Sequence, residues 1–200
     1  MYTTIIDQNA GGPANGKDLN TETGVIGLTA LLEQVRDYLD AQEWNYDIRG
    51  QEDDEYMIMR MNLKTVDACT TVMRSFDEDS FVVYSIFPIK VPEEKRSEIA
   101  EFITRANYGL NHGNFEMDFD DGEIRYKTTA IWGDLEVPER HMDRVINLGF
   151  CMLDRYGSGI LSVLYGGADA AAAIDKIENS DDSVSNTHLR AHETLRHLVC

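Results

Sequence analysis

The stretch from residue 81 to residue 128 limits the possible folds more than any other part of this chain of 200 residues. Residues 81–89 are apolar at both odd and even positions, which predicts a strand that is central or covered by a second layer or a partner subunit. Pro92 then opens a helix, because proline suits the first helical position. The pair Asp121-Gly122 follows between two alternating segments and predicts a hairpin. A strand, a helix and a hairpin in succession are typical of an α+β domain.

The hairpin pattern predicts a specific register. Asp121-Gly122 is a preferred pair for a two-residue type I′ turn, and such a turn determines which residues face each other. A slip by one residue would move every apolar side chain to the wrong face of the sheet. The predicted pairs are Phe119–Ile124, Met117–Tyr126 and Phe115–Thr128 on the buried face, and Asp118–Arg125 and Glu116–Lys127 on the other face.

The rest of the chain adds two helices and two strands. Residues 26–41 carry apolar side chains at helical intervals. Residues 57–63 alternate as a half-buried strand, and residues 69–76 form a weaker one. Residues 138–165 are apolar nearly all round, which predicts a long helix that is buried or meets a partner. The predicted order is α-β-β-β-α-β-β-α, with one antiparallel sheet packed against helices.

Three regions follow from the composition along the chain. Residues 1–23 are rich in Gly, Asn, Thr and Asp without periodicity, so we expect a flexible tail. Residues 24–167 hold the α+β domain. Residues 168–200 form an extension that we expect to be partly helical.

The charge of the chain limits its partners. Thirty-six acidic and eighteen basic residues leave a net charge of −18. This charge repels phosphate backbones and anionic membrane surfaces, so we expect neither direct nucleic-acid binding nor membrane binding. It suits either simple solubility or a preference for basic partners.

The start of the chain has no signal-peptide pattern, and the apolar run of residues 81–88 is too short to cross a bilayer, which predicts a cytoplasmic protein.

Consecutive residues in the middle of the chain are similar to those of a known family. The segments are Phe81-Val82-Val83-Tyr84-Ser85, Pro88-Ile89-Lys90-Val91-Pro92-Glu93-Glu94-Lys95-Arg96, Ala106-Asn107-Tyr108-Gly109-Leu110, Gly113-Asn114-Phe115-Glu116 and Asp121-Gly122-Glu123-Ile124-Arg125-Tyr126-Lys127-Thr128. Together with the element order over residues 26–165, they resemble the YbjN family, whose fold is similar to that of type III secretion chaperones. The resemblance implies a small homodimer that binds segments of other proteins, and it implies no particular chemistry.

The residues themselves predict no catalytic site, cofactor or metal. Asp118, Asp120 and Asp121 resemble part of a calcium loop but lack its glycine and closing glutamate. His188 and His192 have a spacing that can hold zinc, but Glu193 does not complete an H-E-x-x-H motif and a solvated tail helix is the favoured interpretation. We therefore expect a protein that is not an enzyme.

The leading hypothesis is a non-enzymatic adaptor or chaperone-like regulator that works as a homodimer and captures a segment of another protein. The alternative is a small-ligand or metal-sensing regulatory domain. An enzyme with scattered catalytic residues has no positive support. The predicted partner-binding residues are Leu28, Leu31, Val35, Val82, Tyr84 and Ile86, and the predicted dimer interface is Ile99, Phe102 and Ile103.

Overall fold

The computed structural model describes residues 30–50, 54–76, 80–132 and 136–182. Predictions for the tail of residues 1–23, for Leu28, and for His188 and His192 lie outside these ranges.

The described residues form an α+β domain, which confirms the predicted class. A short strand and a second C-terminal helix are added to the predicted order. A single 3₁₀ turn, Glu93–Lys95, precedes the second helix. The elements are α1 (Ala30–Ala41), β1 (Asp47–Arg49), β2 (Tyr56–Met61), β3 (Cys69–Ser75), β4 (Ser80–Ile86), α2 (Arg96–Tyr108), β5 (Asn114–Met117), β6 (Ile124–Ile131), α3 (Glu139–Tyr165) and α4 (Ala170–Asp182).

The six strands form one antiparallel sheet in the order β1-β2-β3-β4-β6-β5. Strand β6 inserts between β4 and β5, so β4 lies near the middle of the sheet. Its central place agrees with its apolar residues on both faces.

The helices pack on one face of this sheet. Helix α3 lies against β4 and β6, α1 contacts α3, β3 and β4, and α2 lies beside β5. Helix α4 packs on α2 and α3. The sheet residues in the shared core alternate along the strands: Met57, Met59, Cys69, Met73, Phe81, Val83, Phe115, Ile124, Tyr126 and Ala130.

Helix α3 lies directly against β4 at Gly149. A methyl group on Gly149 would lie 2.1 Å from Ser85 Oγ and 2.6 Å from Ser85 Cβ. Ser85 is buried, and its hydroxyl lies 3.3 Å from the hydroxyl of Thr71. This contact requires glycine because no side chain fits between the helix and the strand.

The predicted register of the β5–β6 hairpin is wrong by two residues. The carboxylate of Asp118 accepts the N–H of Asp120 at 2.7 Å, and that of Asp121 accepts the N–H of Glu123 at 2.9 Å. The N–H of Gly122 also donates to the Asp118 carbonyl, which closes a longer loop than a two-residue turn. A shift of two residues keeps the paired strand residues on their predicted faces and changes only their partners. Phe119, predicted to lie on the buried face, instead belongs to the loop and is 56% exposed. The observed pairs are Asn114–Lys127, Phe115–Tyr126, Glu116–Arg125 and Met117–Ile124.

Candidate protein-binding face

The sheet face opposite the core carries no helix among the described elements. The side chains on it are those that alternate with the core residues, and we call this surface the open face. Rows of paired residues cross it from strand to strand, because the register aligns them. The rows are Arg49–Tyr56–Arg74–Val82–Thr129, Asp47–Ile58–Val72–Tyr84–Lys127–Asn114 and Arg60–Thr70–Ile86–Arg125–Glu116.

The centre of the open face is apolar. Val72 and Val82 are each only 2% exposed, whereas Ile58, Tyr84 and Ile86 are partly exposed. These five side chains are neighbours along and across β2, β3 and β4. They form a continuous apolar surface outside the main core.

Two further apolar side chains lie at one end of the open face. The N–H of Phe76 donates to the carbonyl of Ser80 at 2.9 Å, and Ser80 is paired with Ile131. Phe76 is 69% exposed and Ile131 is 76% exposed. Two large apolar side chains therefore lie exposed at the same end of the open face.

Basic side chains outnumber acidic ones on the strands of the open face, although the whole chain has twice as many acidic as basic residues. The carboxylate of Glu116 lies 2.8 Å from Arg125 and 3.4 Å from Lys127, so two cations share it. Arg60 forms no ion pair with any residue in the described ranges. The basic residues are Arg49, Arg60, Arg74, Arg125 and Lys127, and the acidic ones are Asp47 and Glu116.

Arg125 links the charged and apolar parts of this face. Its Cζ lies 4.3 Å from the centroid of the Tyr84 ring, within the range of a cation–π contact. Burial of Glu116 opposes its ionisation, but the hydrogen bond from Arg125 and the charges of Arg125 and Lys127 outweigh burial and hold its pKa below the usual value. The net shift is opposite at Glu123. Burial raises its pKa, and the charge of Arg125 offsets this effect only in part.

These two glutamates predict opposite effects of amide substitution. The lowered pKa of Glu116 means that its ionised form stabilises the fold above its ordinary pKa of 4.5, and this stability is lost as the pH falls through its folded pKa. Ionised Glu123 costs stability, so its penalty grows as the pH rises through 4.5. At neutral pH we expect E116Q to lower the free energy of unfolding by about 1 kcal/mol and E123Q to raise it by less. Urea denaturation of both variants at neutral and acid pH measures this, and equal effects at both pH values would contradict it.

The outer edge of β5 is closed by a side chain. The amide of Asn107, at the end of α2, donates from Nδ2 to the Phe115 carbonyl at 2.9 Å. Its Oδ1 accepts the Phe115 N–H at 2.7 Å. These are the two bonds that an added strand would form with Phe115. A partner therefore cannot extend the sheet at this residue unless it displaces Asn107.

The structure separates the predicted partner-binding residues into two groups. Val82, Tyr84 and Ile86 lie together on the open face. Leu31 and Val35 are buried in the core, on the side of α1 that faces α3 and the sheet. Binding through Leu31 and Val35 stays a prediction, and it would require α1 to move.

The predicted dimer residues are also in the core. Ile99 and Phe102 are fully buried and Ile103 is nearly so. The Phe102 ring makes an edge contact with Tyr156 of α3, with centroids 6.4 Å apart. The dimer interface assigned to these residues stays a prediction, and it would require this packing to open.

Other chemistry in the described ranges points to structural roles. No group of three or more His, Cys, Asp or Glu residues there is arranged to hold a metal ion. Burial raises the pKa of Cys69 to about 12, so this thiol stays neutral and is a poor nucleophile. A cavity of about 330 Å³ between α3 and α4 is lined by Arg155, Ser158, Ser162 and Lys176. No helix in the described ranges is long and apolar enough to cross a membrane.

The fold and the open face define a two-layer α+β domain with helices on one side of an antiparallel sheet. The model of the YbjN family, described as "Putative bacterial sensory transduction regulator", matches residues 31–162. The chain therefore belongs to the YbjN family, which confirms the resemblance found in the sequence. Helix α4 follows the matched region.

A solved structure is also similar to this chain. It is the crystal structure of YbjN from E. coli, described as "a putative transcription regulator". The sequence identity is 9% and the TM-score is 0.40, over 63% of this chain and 93% of the other. No curated protein matches the sequence significantly.

Proposed function

We propose that this protein is a non-enzymatic cytoplasmic regulator that works by binding a segment of another protein, as an adaptor or chaperone-like factor, and that it acts as a homodimer. The open face is the observation that carries this proposal. It combines partly exposed Ile58, Tyr84 and Ile86 with exposed Phe76 and Ile131 on a rigid sheet. Apolar surface of this kind on a soluble domain is typical of a protein interaction site.

The open face suits a protein segment better than a small molecule. A small-molecule site is a concave pocket that surrounds its ligand, whereas a sheet face offers a broad surface with side chains in regular rows. Tyr84 and Arg125 lie at its centre, and tyrosine and arginine are enriched among residues that dominate binding energy. Val72 and Val82 lie beside Tyr84 on the same face and are almost fully buried.

Two tyrosines with raised pKa values are explained by structural contacts. The hydroxyl of Tyr38 donates to Asp143 at 2.9 Å, and burial together with this bond raises its pKa. The hydroxyl of Tyr46 donates to Asp40 in the same way. The first bond joins α1 to α3 and the second joins α1 to the loop before β1, so both tyrosines have structural roles.

Substitution at the centre of the open face tests the binding function. We expect the double variant Y84S/I86T to lose the protein that co-purifies with the tagged wild-type chain, because the exposed apolar contacts are removed while the strand is kept. A tenfold loss or more, measured by quantitative mass spectrometry of the purified complexes, is expected for two contact residues.

The control is Y108S, which removes a fully exposed tyrosine at the end of α2, away from the open face. It should retain the partner. Equal retention by Y84S/I86T and by wild type would contradict binding at the open face. Light scattering on the full chain tests the homodimer separately, and a monomer mass at high concentration would contradict that part alone.

A further inference from the structure

We propose that the segment bound by the open face is acidic and amphipathic, with apolar side chains along its middle and carboxylates on both sides. This inference rests on the proposed function and names the chemistry of its partner. It is drawn from the arrangement of charge on the open face, which is opposite in sign to the charge of the whole chain.

The cations lie on both sides of an apolar row. The middle row of the open face contains Ile58, Val72 and Tyr84. Arg74 belongs to the row on one side and Arg60 to the row on the other, since each is two residues from the middle row along its strand. Successive residues on one face of a strand are about 7 Å apart. Apolar side chains of a bound segment over the middle row would therefore place flanking carboxylates within reach of guanidinium groups on both sides.

The cations are available to a partner. Arg60 has no ion-pair partner in the described ranges. Arg125 and Lys127 share the carboxylate of Glu116, and Arg125 has a second, longer contact with Glu123 at 4.0 Å. Arg74 is paired with Asp54, whose side chain is 68% exposed and lies outside the sheet. Exposed ion pairs contribute little, so a carboxylate of the partner can replace that of Asp54 at small cost. A bidentate carboxylate is the ligand that a guanidinium group binds best.

Single-stranded nucleic acid is the competing occupant, because open sheets with aromatic and basic side chains bind it. Two observations favour a protein segment. The centre of the open face is mainly aliphatic, and the ring of Tyr84 is covered by Arg125 rather than free to stack on a base.

Selection from a library of random linear peptides displayed on phage tests the inference. The immobilised full chain selects binders, and Y84S/I86T removes peptides that bind elsewhere. We expect the selected peptides to be rich in Asp and Glu around apolar residues. Their affinity should fall about tenfold in R60E and should weaken as salt is raised, since charges contribute directly. R60Q should have a smaller effect in the same direction.

The matched control is R144E, which makes the same change of charge at an exposed site on α3. It should leave peptide affinity unchanged. Selection of neutral or basic peptides, or equal losses in R60E and R144E, would overturn the acidic partner but leave the proposed function standing. If no peptide is enriched on the wild-type chain relative to Y84S/I86T, both the acidic partner and the proposed function are overturned. A single-stranded oligonucleotide that competes with the peptides and loses affinity in R60E would assign the face to nucleic acid instead.

Discussion

The G122A variant is expected to lose about 3 to 5 kcal/mol of its free energy of unfolding. Gly122 has a φ of +79°, a conformation that is unfavourable for residues with a Cβ. An added Cβ would also lie 2.1 Å from the carbonyl oxygen of Val91, whose N–H donates to the Gly122 carbonyl. The substitution therefore both strains the hairpin and separates it from the segment before α2. Thermal and urea unfolding of the full chain measure the loss.

The control for this variant is G167A. Gly167 has a similar φ of +65°, but nothing lies within 4 Å of the position of an added Cβ. Its free energy of unfolding should fall by only about 1 to 2 kcal/mol, the cost of a Cβ at a positive φ. Equal losses in G122A and G167A would show that the contact with Val91 does not matter.

The G149A variant is expected to lose about 2 to 4 kcal/mol of its free energy of unfolding, because the added methyl group overpacks the contact between α3 and β4. The usual effect of this change inside a helix is a gain of nearly 1 kcal/mol, because alanine favours the helix. The predicted sign is reversed because the added methyl group would lie 2.1 Å from Ser85 Oγ. Equilibrium unfolding in urea distinguishes the two signs directly.

A second substitution isolates that contact. Replacing Ser85 by glycine removes both atoms that clash, after which the next neighbour of the added methyl group is Tyr126 Cδ1 at 3.8 Å. In the S85G background, G149A should therefore be neutral or stabilising. A loss of the same size in both backgrounds would place the cause elsewhere than at Ser85.

Local patterns in the sequence predicted most of the elements. The long helix α3 was expected over residues 138–165 and spans Glu139–Tyr165. The hairpin register was wrong because the Asp118 and Asp121 side chains bond to backbone N–H groups of the loop, and this competes with a two-residue turn. An Asp-Gly pair alone does not distinguish these two loops.

The candidate site was only partly predictable. The apolar face of Val82, Tyr84 and Ile86 follows from alternation within one strand. The basic residues around it do not, because Arg60, Arg74 and Arg125 are far apart in the sequence and meet only through strand pairing. The amphipathic stripe of α1 likewise did not distinguish a partner contact from core packing, since both require the same spacing of apolar residues.

The amide of Asn107 sets the width of the sheet. It binds the backbone of Phe115 as another strand would. Edge-to-edge pairing of two sheets is therefore blocked at this residue of β5. The other edge, β1, is only three residues long and offers few bonds to a neighbouring copy. Copies that meet at the apolar face of this sheet therefore have little opportunity to join strand to strand as well, and such contacts would end at small assemblies rather than filaments.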